Sequence, residues 1–127
     1  NVDPSCTLCS LSKLNPPPKE NYPHFFLYCN TNINISLNYF SNFLANSNIT
    51  WDQKFFFLGA PTNATNWCSM IINVEIILVS FFLFQCRTEK KIPLINNLMY
   101  FTKSNRNILL LSCKYYRAWV KWNSITI

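Results

Sequence analysis

Glycine is nearly missing from this sequence. It occurs once in 127 residues, where an average share of about 7% predicts roughly nine. A phosphate-cradling loop needs several glycines so that backbone N–H groups can approach the ligand. Gly59 stands alone, in Leu58-Gly59-Ala60-Pro61, and reads as a turn. P-loop and dinucleotide-binding functions are therefore excluded. Charged residues make up only 13% of the chain, with five acids and one His. General acid–base constellations are hard to assemble from so few groups, so an enzyme is not expected. The first residue is Asn1 rather than Met, and no apolar signal-peptide region follows it, which reads as a processed or trimmed form. No internal repeat is visible.

Apolar residues, by contrast, make up half the chain and aromatics 17%, enough for a core and against bulk disorder. Asn (18), Ile (12) and Phe (11) dominate the usage. That bias fits an AT-rich or organellar genome, and equally a recently arisen reading frame without evolved function.

Charge is segregated. Up to Cys86 the chain is nearly neutral. After it come Arg87, Lys90, Lys91, Lys103, Arg106, Lys114, Arg117 and Lys121 against the single acid Glu89. A neutral head and a basic tail point to a membrane surface or a polyanion beside the tail.

Residues 1–24 hold five of the seven prolines, including Pro16-Pro17-Pro18, and read as irregular or polyproline II. Residues 25–67 read as a β-leaning head. There Ile33, Ile35, Leu37 and Tyr39 alternate with Asn32, Asn34, Ser36 and Asn38, the period of a half-buried strand. Lys54–Leu58 reads as a second short strand.

Residues 68–86 are the most apolar stretch and a candidate transmembrane helix. Nineteen helical residues rise about 28 Å, near the hydrocarbon thickness. Arg87, Lys90 and Lys91 follow at once and would act as topology determinants that keep the tail inside. Eleven Ile, Leu, Val and Phe residues favour insertion by roughly 5 kcal/mol, and the polar residues offset most of it. Glu75 is the main objection, and if it lies within the membrane it becomes a polar functional site. The competing reading is core strands, because β-branched and aromatic residues abound. Residues 87–127 form the basic tail. Residues 92–110 read as polar linker broken at Pro93. Within 108–122, Leu111, Tyr115, Ala118, Trp119 and Trp122 share one helical face, so an amphipathic helix is expected.

Several motifs carry chemistry. Cys6-x2-Cys9 followed by His24 and Cys29 has zinc-finger spacing. The triple proline occupies the place where a finger needs its strand and helix. A disulfide loop is the preferred reading there, and neither metal nor cofactor is expected. If 68–86 spans a membrane, Cys6, Cys9, Cys29 and Cys68 remain as disulfide candidates, while a secreted form would pair all six cysteines. Asn34, Asn48 and Asn63 stand in Asn-x-Ser/Thr sequons and are candidate glycosylation sites. Their number is what chance placement of 18 Asn and 19 Ser and Thr predicts. Lys114, Arg117, Trp119, Lys121 and Trp122 interleave cations with aromatics, as a membrane-surface or polyanion contact requires. No nucleic-acid module accompanies them, so nucleic acid is not an expected partner.

The fold expected from sequence is thus a small, disulfide-linked, β-leaning head, one transmembrane helix and a basic tail. The alternative is a single all-β or α+β secreted domain. The expected function is a non-enzymatic, single-pass interaction protein, a glycoprotein of the secretory pathway or cell surface. Its partners would be the lipid bilayer and an unidentified protein. The alternatives are a secreted disulfide-stapled binding module and an organelle-encoded subunit of a membrane complex.

Overall fold

The Asn-rich segment after Cys29 is helical, not extended. The computed structural model describes residues 24–126, and no strand occurs among them. A π-helical turn, His24–Tyr28, is closed by the Cys29 N–H donating to the His24 carbonyl at 2.6 Å. The helices α1 (Asn30–Phe43), α2 (Phe55–Leu58), α3 (Asn66–Glu89), α4 (Ile95–Leu109) and α5 (Cys113–Thr126) follow.

This overturns the β-leaning head. In α1 the buried residues are Asn32, Ile35, Ser36, Tyr39 and Phe40, a stripe with helical spacing. The alternation that reads as a strand breaks at burial: Leu37 is exposed, while Asn32 and Ser36 are inside. Small polar side chains tolerated in the core hid the helical period, and packing overrode strand propensity. Asn32 stays inside by donating its Nδ2 to the Phe25 carbonyl at 2.9 Å. The second expected strand is the single helical turn α2. Asp52 Oδ1 accepts the Lys54 N–H at 2.9 Å, an Asx-type turn that starts the coil. Gly59 ends it at φ 77°, and a Cβ there would lie 3.0 Å from Asn73 Oδ1. The solitary glycine is thus held by backbone conformation and by close approach together.

Helix α3 runs through the middle of the fold. Its 24 residues extend about 36 Å. By length and composition it is long and apolar enough to cross a membrane. Half of its most apolar window is buried inside the protein, and the reading of 68–86 as core strands is wrong. Helices α4 and α5 both pack on α3, α1 packs on α4, and α2 lies on α3 near Asn73. One core joins residues from Phe25 to Trp122. Aromatic pairs fill it: Phe40 stacks on Trp51 at 3.8 Å, Phe25 on Phe84 at 4.9 Å and Phe43 on Trp122 at 5.1 Å between centroids. Such pairs add about 0.5–1.5 kcal/mol each beyond area burial.

The segment read as linker contains α4. Leu98 and Thr102, one turn apart, are its buried residues, and its outward face carries the Asn and Lys residues that read as linker. The chain does break near Pro93. Helix α3 ends in a Schellman motif: the Lys91 N–H donates to the Cys86 carbonyl at 2.9 Å and the Lys90 N–H to the Arg87 carbonyl at 3.2 Å. Lys90 takes the left-handed conformation, φ 56° and ψ 46°, usually filled by glycine.

The expected disulfide framework is also corrected. No two of Cys29, Cys68, Cys86 and Cys113 are bonded to each other, so a Cys29–Cys68 bridge does not exist and the pairing of all six cysteines fails. Cys6 and Cys9 lie outside the described residues. A helical core with 20 interlocking buried apolar residues does the work that staples do in smaller domains. With no disulfide among the described residues, nothing in them supports the secreted or glycoprotein reading.

Candidate functional site

Glu75 sits at the middle of α3 and is fully buried. A buried carboxylate needs partners, because desolvation without them costs several kcal/mol. Three helices supply them. From α1, the Tyr39 hydroxyl donates to Glu75 Oε1 at 2.5 Å. From α4, Arg106 donates Nη2 to Oε1 at 2.5 Å and Nε to Oε2 at 3.2 Å. This is a two-pronged guanidinium–carboxylate pair, the strongest geometry for such a contact. Arg106 Nη2 also donates to the Tyr39 hydroxyl oxygen at 3.2 Å. From α5, the Trp119 ring lies 4.5 Å below the guanidinium carbon, and Phe43 of α1 flanks it at 5.9 Å. Aromatic faces stabilise a cation held this way.

The cluster holds its protons firmly. Burial, and then the Glu75 charge beside it, push the Tyr39 hydroxyl far above the ordinary tyrosine range. Burial and the same charge push Tyr115 up to about 12. Burial pulls Arg106 down, but the hydrogen bonds and charge of Glu75 outweigh it, and the guanidinium binds its proton more tightly than usual. Neither a protonated tyrosine nor a charged arginine exchanges protons near neutral pH, so they are poor general acids or bases. The arrangement is a clamp that ties α1, α3, α4 and α5 together.

The other feature is the outward face of α5. Lys114, Arg117 and Lys121 are exposed there, with Tyr116 and Val120 between them. Leu111, in the turn before α5, is 85% exposed. No acid follows Glu89 anywhere in the chain. Of the residues read from sequence as the surface contact, Lys114, Arg117 and Lys121 face outward. Trp122 is a core residue at 2% exposure and Trp119 is half-buried against Arg106. The helical face containing Tyr115, Ala118 and Trp122 is the one that packs inward.

The remaining sequence candidates are scattered. Arg87 lies half-buried in the last turn of α3, Lys90 forms the helix stop, and Lys91 pairs with Glu89 at 3.6 Å on the surface. Asn34, Asn48 and Asn63 are exposed on separate segments. His24 and Cys29 sit at the two ends of the π-helical turn, both buried, and the other half of that candidate metal set, Cys6 and Cys9, lies outside the described residues. Among the described residues no group of three or more metal-ligating side chains converges. Burial pushes the Cys68 and Cys86 thiols up, in the second case with help from Glu89, which disfavours the reactive thiolate.

Sequence reasoning found Glu75 but missed Tyr39, Arg106 and Tyr115 around it. A usable signal existed: an acid inside an apolar run demands a cation, and Leu98, Thr102 and Arg106 recur at four-residue spacing.

No protein-family model matches the chain, and neither curated proteins nor solved structures show a significant similarity to it.

Proposed function

We propose that the protein is a non-enzymatic helical module that docks on an anionic membrane surface through the outward face of α5. One observation carries this reading: Lys114, Arg117 and Lys121 line the exposed side of an amphipathic helix, beside the exposed apolar residues Tyr116 and Val120. Cations for headgroups and apolar side chains for the acyl boundary are the two elements of an interfacial helix. Leu111 projects from the turn beside it, suited to enter the same boundary. Arg106 adds nothing to this charge, because Glu75 already neutralises it.

The apolar α3 supports the docked form more than a spanning one. The helices that hold Glu75 carry exposed Asn38, Asn42, Lys103 and Asn107, and these would have to enter hydrocarbon if α3 crossed the bilayer inside its present packing. As the hub of a helical bundle, α3 has half of its apolar window covered by protein.

Each Lys or Arg near an anionic leaflet contributes about 1 kcal/mol, so three contribute roughly 100-fold in affinity. Co-sedimentation with vesicles of phosphatidylcholine, with and without 30% phosphatidylserine (a composition chosen for the assay), tests this. Binding is expected only with phosphatidylserine, weakening with salt, and lost about 100-fold in Lys114→Gln/Arg117→Gln/Lys121→Gln. Equal binding by the triple variant overturns the proposal. So does retention in the pellet after alkaline carbonate extraction of membranes, which would mark α3 as a span.

A further inference from the structure

A cavity of about 540 Å³ opens between α1, α4 and α5, well within the range of roughly 300–1,000 Å³ typical of small-molecule sites. Phe43, Tyr100, Trp119 and Trp122 lie on its wall, with Ile95 and Met99 adding aliphatic surface. Phe43 stacks on Trp122 and Trp119 at 5.1 and 6.4 Å between centroids, which covers Trp122, while Phe43 and Trp119 stay half-buried and Tyr100 is exposed at the cavity. The aromatic surface that Phe43, Tyr100 and Trp119 leave at the cavity favours a flat guest, which packs on it with little loss of its own freedom.

The charge on the wall is of one sign. Lys103 and Arg106 are its ionisable cations, and neither Asp nor Glu lines it. Glu75, behind Arg106, matches that guanidinium with two hydrogen bonds. Lys103 is exposed, and its charge is left without an acid on the wall. Asn42 and Asn123 add amide groups able to donate to oxygen. One uncompensated cation beside an aromatic wall is complementary to one negative charge on a planar ring.

We propose that this cavity is a binding site for a planar aromatic monocarboxylate, with the ring against Phe43, Tyr100 and Trp119 and the carboxylate on Lys103. The site is separate from the outward face of α5 and does not depend on membrane docking. A dicarboxylate would leave one charge without a partner, and a neutral aromatic would leave the ammonium unmatched.

The probes are naphthalene-2-carboxylate and its neutral counterpart naphthalene-2-carboxamide, titrated into the full chain by calorimetry and by tryptophan fluorescence. Expected is saturable carboxylate binding below about 1 mM, with about a tenfold preference over the carboxamide, the scale of one charge-assisted hydrogen bond. Lys103→Gln, an exposed position, should erase the preference and keep the weaker binding. Met99→Trp should fill the cavity and abolish both. If that variant unfolds, Asn42→Trp fills the cavity from α1 at an exposed position and makes the same test. Equal affinity for the two probes, no saturable binding to the wild type, or undiminished binding to a folded cavity-filled variant overturns the proposal.

Discussion

Removing Arg106 should destabilise the protein far more than removing the whole ion pair. Arg106→Met leaves the Glu75 carboxylate fully buried, with Tyr39 as its one remaining hydrogen-bond donor. Stranding a buried charge costs about 3–5 kcal/mol. For a domain of this size each kcal/mol lowers Tm by about 4 °C, so a fall of about 12 °C or more is expected. Glu75→Leu strands the guanidinium instead, which keeps 14% of its surface and its place over Trp119. Its cost should be somewhat smaller, about 2–4 kcal/mol, because solvent and the rings partly compensate. The double variant Glu75→Leu/Arg106→Met removes both charges together. It deprives the Tyr39 hydroxyl of both Glu75 and Arg106, a penalty of about 1–3 kcal/mol, and the triple variant with Tyr39→Phe should recover most of that. Urea denaturation followed by far-UV circular dichroism and by tryptophan fluorescence measures all four. The coupling energy should be favourable by about 3 kcal/mol or more. Additive single effects, or an Arg106→Met cost under about 1 kcal/mol, would refute the clamp.

Two further outcomes follow from the same structure. Lys90→Gly should stabilise the protein by about 1 kcal/mol, because glycine meets no steric penalty at the left-handed position that ends α3; an unchanged urea midpoint would show that the Schellman turn is not populated. Stability should also fall at high pH. Tyr115 is raised from 10.0 to about 12 in the folded state, so above pH 10 the unfolded chain releases a proton that the native state retains. The unfolding free energy then drops by about 1.4 kcal/mol per pH unit between those two values for this residue. Tyr39 shifts in the same direction and steepens the loss. The stabilisation is fully present below pH 10, and a flat urea midpoint from pH 9 to 11 would contradict it.

Much of this architecture was hidden for identifiable reasons. The period in α1 was masked because two of its inward positions, Asn32 and Ser36, are polar. The linker reading of 92–110 came from counting polar residues without asking which face they occupy. Leu98, Thr102 and Arg106 make a narrow inward stripe, and an arginine is not counted as core in any hydrophobic pattern. The site was half legible, since Glu75 stood out by being an acid in an apolar run. Its partners lie 36 and 31 residues away in the chain, and sequence spacing carries no record of such distances.

By itself, the sequence determined the near absence of glycine chemistry, the segregation of positive charge into the last third, and the existence of a long apolar stretch. It also pointed to an amphipathic helix in the tail, but it placed Trp119 and Trp122 at the surface contact, where the fold turns them inward. Tertiary structure decided the rest. Only packing showed that α1 is a helix, that half of α3's apolar window is covered by its own chain, and that Trp119 supports an arginine. The physical reason is that a buried carboxylate is tolerable only where partners converge from other helices, and convergence is a property of the fold, not of any local stretch.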